Sequence, residues 1–341
     1  MTNRTFASDN TAPIAPEIVK AILAANDGAA VPYGGDDWTA RAKQRFRDQF
    51  GAETDVYFAF NGTGANVAGL SALLRPWEAV LCPESAHLQT DECGAFERFS
   101  GSKVIPIPTE DGKLRPAYLE PYLKPVDVHF PQPRILSISQ ATEYGGLYEL
   151  DELRALCGFA HARGLLVHVD GARLSNAAAA LGVSFRVMTA SVDLLTFGGT
   201  KNGMMLGDAI CFLKPGLGAD SAAFVQKQAM QLSSKMRYIA AQFEALLSGD
   251  LWLQYASHAN AMTKRLEERV RNVEGIRITR PVRCNAIFAT MSRTAIERVQ
   301  REYSFLVWDV RLPEVRWMTH WATTPGDVDA FADALERGVS P

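Results

Sequence analysis

The sequence predicts an α/β chain: a large domain on a mostly parallel sheet, followed by a smaller C-terminal α+β domain. Two observations carry this reading. Between about residues 56 and 212, short apolar runs alternate with helical patterns, as βα units require. Around Lys214-Pro-Gly216 that rhythm gives way to a long helical stretch, about 221–247, and then to strand-like runs without the earlier alternation. The expected division is residues 1–50 as an N-terminal arm and helices, 51–248 as the large domain and 249–341 as the small one.

Taken in order, the first 50 residues read as an extended arm and two helices, near 17–25 and 38–50. Val56 to Phe60 is a buried strand, and Asn61-Gly-Thr-Gly64 turns it into a helix that continues through Leu70, Leu73 and Leu74. Arg134 to Ile138 is another strand. The segment Asp151 to Arg163 is an amphipathic helix with Leu153, Leu156, Phe159 and Ala160 on one side, Asp151 as its cap and Gly164 as its stop. Leu165 to Val169 is the next strand, ending at Asp170. Val192 to Phe197 is one more, running into Gly198-Gly-Thr-Lys201. In the small domain 286–291 and 315–321 are strand-like, and Thr324-Pro-Gly-Asp327 opens a final helix with a cap residue and a proline at its first position.

Composition narrows the function classes. The 341 residues carry 35 Lys and Arg against 38 Asp and Glu, a formal net charge of −3, so no basic surface for nucleic acid or an anionic membrane is expected. Apolar residues make up 47% and charged ones 21%, the balance of a folded globule. Five dispersed cysteines without a C-x-x-C pair argue for a reducing compartment and against a disulfide framework or structural zinc. No apolar run near the N-terminus resembles a signal peptide, and none elsewhere reaches the roughly 18 residues of a membrane span. A soluble cytoplasmic protein is the expectation.

In an open α/β sheet, ligands bind beyond the carboxyl ends of the strands. Three strand ends carry functional groups. Gly62-Thr-Gly-Ala-Asn66 offers backbone N–H groups, a helix dipole and the Thr63 hydroxyl, all suited to a phosphate. Alone it is a tight βα turn, or a dinucleotide fingerprint that has Val67 in place of the third glycine. Asp170 ends an apolar strand, where a carboxylate needs a cation or a proton. By itself it reads as a helix cap or as the partner of Arg173. Lys201, between glycines at another strand end, suits an imine-forming amine, although most lysines are solvated surface groups. Together these three match what pyridoxal phosphate requires at its phosphate, ring nitrogen and aldehyde.

Several segments in order resemble the low-specificity L-threonine aldolases, pyridoxal-phosphate enzymes of the aspartate-aminotransferase-like fold (fold type I) and of the β-eliminating lyase/threonine aldolase family. They are Ala7-Ser-Asp-Asn10, Tyr33-Gly-Gly-Asp-Asp37, Phe60 to Asn66, Ala86-His87, His129-Phe130, His168 to Arg173, Phe197 to Asn202, Ser234 to Arg237 and Val315 to His320. The resemblance implies that Lys201 is the Schiff-base lysine, that Asp170 holds the pyridine nitrogen, and that Asn61, Gly62 and Thr63 cradle the phosphate. It implies that His87 stacks on the ring and that Ser8, Arg173 and Arg316 hold the substrate carboxylate. His87 and His129 then lie near the bond being broken, where an imidazole can take the β-hydroxyl proton. Glu92, five residues after His87, is placed to orient that histidine or a water. Tyr33, Lys235 and Arg237 come from a neighbouring subunit, Tyr33 near the substrate and Arg237 near the phosphate, in a homo-oligomer built of dimers.

The implied reaction is retro-aldol cleavage of threonine, allo-threonine and related β-hydroxy-α-amino acids to glycine and an aldehyde. Another pyridoxal-phosphate lyase, such as a phenylserine aldolase or β-eliminating lyase, or an aminotransferase stays open at this point, and more distantly a nicotinamide-dependent dehydrogenase. The remaining histidines have no zinc-ligand spacing, so no metal site is expected.

Overall fold

The computed structural model describes residues 4–123 and 126–340. Seven strands form the large sheet: β1 (Asp55–Ala59), β2 (Glu78–Pro83), β3 (Lys103–Ile107), β4 (Gln132–Ser139), β5 (Leu166–Gly171), β6 (Leu194–Gly198) and β7 (Asp208–Phe212). Their spatial order is β1-β7-β6-β5-β4-β2-β3, parallel throughout except that β7 runs against both neighbours. Every residue of β6 and β7 is buried, as expected of strands covered by helices on both faces. The antiparallel direction of β7 brings its first residue to the edge where the parallel strands end.

The smaller sheet is antiparallel: β8 (Arg277–Ile278), β9 (Ala286–Thr290), β10 (Leu306–Asp309) and β11 (Glu314–Met318), in the order β10-β11-β9-β8. Its core holds Trp317, Phe331 and, from the N-terminal arm, Phe6. Phe6 stacks on Phe331 at 4.0 Å, so the arm is part of the small unit's core. The helix Leu251–Val270 serves both cores. Trp252 and Tyr255 enter the large one, and Leu266 and Val270 the small one.

Three sequence expectations are corrected. The helix expected from Asp151 spans Leu150–His161 and is capped by Glu149, whose side chain and that of Glu152 close a reciprocal capping box. The stretch 221–247 is two helices, Ala222–Gln228 and Arg237–Leu246, separated by a turn in which Met230 has φ of 60°. The helix after β1 stops at Ser71, short of Leu73 and Leu74. Among the described residues, no helix is long and apolar enough to cross a membrane.

Candidate active site

A cavity of about 220 Å³ opens where β1, β2, β4, β5 and β6 end and β7 begins. Asn61, Gly62, Thr63, His87, Asp170, Arg173 and Lys201 all line it. The space suits one substituted ring and is too small for a dinucleotide.

At the end of β1, Asn61 caps the helix Gly62–Ser71, its side chain accepting from the Gly64 N–H at 2.8 Å. The N–H groups of Gly62 and Thr63, with the Thr63 hydroxyl, are left for a ligand at the positive end of the helix. Gly64 leaves room for something else. A Cβ there would fall 2.3–2.6 Å from the Gln231 amide, and Gln231 accepts from the Phe60 N–H at 3.0 Å.

Asp170 ends β5 inside a determined hydrogen-bond network. Asn66 Nδ2 donates to Asp170 Oδ2 at 2.9 Å and to Glu92 Oε1 at 2.8 Å, while Asn66 Oδ1 accepts from Thr196 Oγ1 at 2.8 Å. Because the Thr196 proton is committed, Thr196 accepts from His168 Nε2 at 3.2 Å, and Ser137 then donates to His168 Nδ1 at 2.8 Å. Burial holds His168 down at about 4, so it is neutral. For Asp170, burial works to raise the pKa. The Asn66 donor, the Ala172 N–H, His168 and Lys201 outweigh it and hold the carboxylate below its usual range.

Lys201 lies in the short turn after β6, with its pKa lowered by Arg173 repulsion and burial against the attraction of Asp9, Asp170 and Asp208. His87 Nδ1 bonds Glu92 Oε1 at 2.9 Å, which raises its pKa against the cost of burial. Glu143 accepts from the His87 N–H and the Ser139 hydroxyl, and burial raises its pKa.

Arg173 does not pair with Asp170. Its Nε and Nη2 reach Asp9 Oδ2 and Oδ1 at 2.7 and 2.9 Å, and burial of Asp9 is outweighed by Arg173, which holds that carboxyl well below its usual range. Arg316 on β11 donates Nη2 to the Ala7 carbonyl at 3.1 Å, while its buried Nε has no partner. Burial and Arg173 push its pKa down to about 10. Among the described residues, no carboxylate pairs with Arg316. Ser8, between the Ala7 and Asp9 anchors, uses its hydroxyl to accept from the Asn10 N–H at 3.2 Å.

Of the expected residues, Ser8, Arg316 and His129 do not line this cavity, and Tyr33, Lys235 and Arg237, expected from a neighbouring subunit, lie outside it as well. His129 is 80% exposed in its side chain and bonds Asp127 at 2.7 Å. It precedes β4, whose 8 residues rise about 3.3 Å each, so it lies at the far edge of the sheet from Ser139. Tyr33 is exposed in a loop under the Lys227 ammonium. Arg237 donates to the Gly28 carbonyl at 2.9 Å, and Lys235 is exposed.

Asn66, Asp9, Glu143 and Asp208 were not singled out from sequence. Asp208 had a legible signal, an isolated acid in the apolar run Met204 to Leu213. Glu143 had none.

A lysine with a lowered pKa, an ionised aspartate and a helix N-terminus around one small cavity define a pyridoxal-phosphate site of the aminotransferase-like fold. The residues fit that group: the free N–H pair matches a phosphate, Asp170 a protonated ring nitrogen, and the unpaired Arg316 Nε an amino-acid carboxylate. The beta-eliminating lyase family model matches residues 5–294, and the chain belongs to that family. It is 45% identical over 335 residues to the low specificity L-threonine aldolase of Pseudomonas aeruginosa, covering 93% of this chain and 96% of that one. The solved threonine aldolase of Leishmania major superposes with a TM-score of 0.92 at 30% identity, covering 98% and 99% of the two chains. Aspartate aminotransferase from Thermus thermophilus shares the fold, with a TM-score of 0.71 at 16% identity over 99% of this chain and 92% of that one.

Proposed function

We propose that this chain is a pyridoxal-phosphate aldolase that splits threonine, allo-threonine and related β-hydroxy-α-amino acids into glycine and an aldehyde. The observation that carries the proposal is the near full-length likeness to a low specificity L-threonine aldolase, held together with a single cavity that gathers Lys201, Asp170, His87 and Arg173.

When bound, pyridoxal phosphate supplies an electron sink for the electrons freed at the substrate's α-carbon. Gly62, Thr63 and Asn61 would hold its phosphate, Asp170 its ring nitrogen and Lys201 its aldehyde, and His87 would lie against it. Arg316, with Ser8 and Arg173 beside it, holds the substrate carboxylate through its free Nε, and this fixes the orientation of the remaining bonds. His87, steadied by Glu92, takes the β-hydroxyl proton as the Cα–Cβ bond breaks. Atoms balance, because one proton leaves the hydroxyl and one joins the α-carbon.

The working form is a homo-oligomer in which Tyr33, Arg237 and His129 serve a second copy's cavity. Exposed apolar residues flank two of them in the chain: Val31 beside Tyr33, and Val126, Val128 and Phe130 around His129. The compartment is the cytoplasm, in keeping with five free thiols.

The test is incubation with threonine and allo-threonine in the presence of pyridoxal phosphate, with assays for glycine and the aldehyde. Equimolar glycine and acetaldehyde are expected. Pyruvate and ammonia from serine, or keto-acid exchange without aldehyde, would overturn the assignment.

A further inference from the structure

Asp208 has no part in the chemistry assigned above. It is the first residue of β7, and its register partners are Ala59 on β1 and Gly198 on β6. The first of these leads directly into the turn at Asn61 and Gly62, the second into Lys201. The side chain is 7% exposed and lines the cavity beside Gly62, Thr63 and Thr200. One carboxyl oxygen lies 4.0 Å from where a Cβ on Gly62 would sit. Among the described residues, nothing donates a hydrogen bond to it.

A phosphate seated on the Gly62 and Thr63 N–H groups would therefore meet this carboxyl. Two anions in contact inside a poorly solvated cavity repel strongly, whereas a protonated carboxyl offers the phosphate a donor. Burial raises the Asp208 pKa to about 7, against the attraction of Lys201 and with added repulsion from Asp170. Those are the two charges that face it; β1 and the following turn contribute only Ala59, Asn61, Gly62 and Thr63. We propose that Asp208 serves as a neutral carboxylic acid that donates its O–H to the phosphate group at the helix N-terminus, so that the subsite takes up phosphate together with a proton. This rests on the cofactor reading above and adds a positioning residue to it.

The test uses the full-length protein freed of cofactor and titrated with 4-deoxypyridoxine phosphate, which lacks the aldehyde and cannot react with Lys201. Dissociation constants are read by fluorescence from pH 6 to 9 for wild type, Asp208→Asn and Asp208→Ala. The probe's own titration is common to all three and cancels in the comparison. The wild-type constant is expected to rise above pH ~7 by about tenfold per unit relative to Asp208→Asn, whose amide donor does not titrate. Asp208→Ala is expected to bind more weakly than wild type at pH 6. Dephosphorylated 4-deoxypyridoxine should discriminate none of the three. Equal pH slopes in wild type and Asp208→Asn, or Asp208→Ala binding as tightly as wild type at pH 6, overturn the proposal alone. A wild-type chain that takes up neither the phosphate probe nor pyridoxal phosphate at any pH overturns the cofactor reading, and this proposal with it.

Discussion

Arg316→Ala isolates the carboxylate clamp. The guanidinium is largely desolvated, lies 4.9 Å from the Trp308 ring centroid, gives Nη2 to the Ala7 carbonyl and leaves its buried Nε unpaired. A charge-assisted fork from such a group to a carboxylate is worth about 2–4 kcal/mol, or about 30- to 1,000-fold in substrate affinity. The Michaelis constant for threonine should rise by that factor while the cofactor's absorbance stays as in wild type. Arg316→Lys, which keeps the charge and loses the fork, should fall between the two. Because the wild-type side chain is a buried cation without a carboxylate partner, its removal should leave the melting temperature unchanged or raise it. The assay is steady-state aldehyde release at saturating cofactor, beside a thermal melt. A Michaelis constant within twofold of wild type would refute the clamp.

Other consequences can be checked in the same way. Glu92→Gln replaces the carboxylate that raises the His87 pKa by a neutral amide; the acid limb of the kcat/KM profile should move to lower pH, and an unmoved limb would take His87 out of the proton transfer. Lys201→Ala should lose cleavage by several orders of magnitude and resist labelling by borohydride reduction in the presence of cofactor, as seen by mass spectrometry. Gly64→Ala pushes the Gln231 amide off the Phe60 N–H and should cost about 1–2 kcal/mol by denaturant unfolding, of which a Gly64→Ala/Gln231→Ala double variant recovers the steric share but not the lost hydrogen bond. Asp9→Asn strands the buried Arg173 and should cost about 3–5 kcal/mol at neutral pH. The Asp9 pKa is depressed in the folded state, so the wild type holds this stability above the unfolded carboxyl's pKa and loses it as pH falls toward the folded value. Melts of both proteins across pH should converge only in strong acid.

Much of the cavity was legible because single charges closing apolar strands are costly unless used. Asp170 and Lys201 stand out on that ground, and Asp208 deserved the same scrutiny. The direction of β7 was not legible, since an alternating or apolar run carries no sign of parallel or antiparallel pairing. The Arg173 partner was hidden for a related reason: Asp9 is 164 positions away, and no local spacing reports such a pair. The cap of the helix Leu150–His161 could have been read correctly, because Glu149 has Glu152 three residues on to complete a box, whereas Asp151 has Arg154. The break at Met230 escaped because helical periodicity resumes on both sides of it. His129 carries motif resemblance without proximity to this cavity, because resemblance of a short motif does not fix which face of the fold it occupies.

The arm at the start of the chain ties these parts together. Thr5 bridges to Ser304, Phe6 is fully enclosed beside Phe331, and Ala7 and Asp9 engage the two arginines. Displacing this segment would draw an enclosed aromatic out of the smaller core together with the groups that hold both arginines. Loss of residues 5–9 would leave Arg173 and Arg316 in the chain but without Asp9 and the Ala7 carbonyl that orient them.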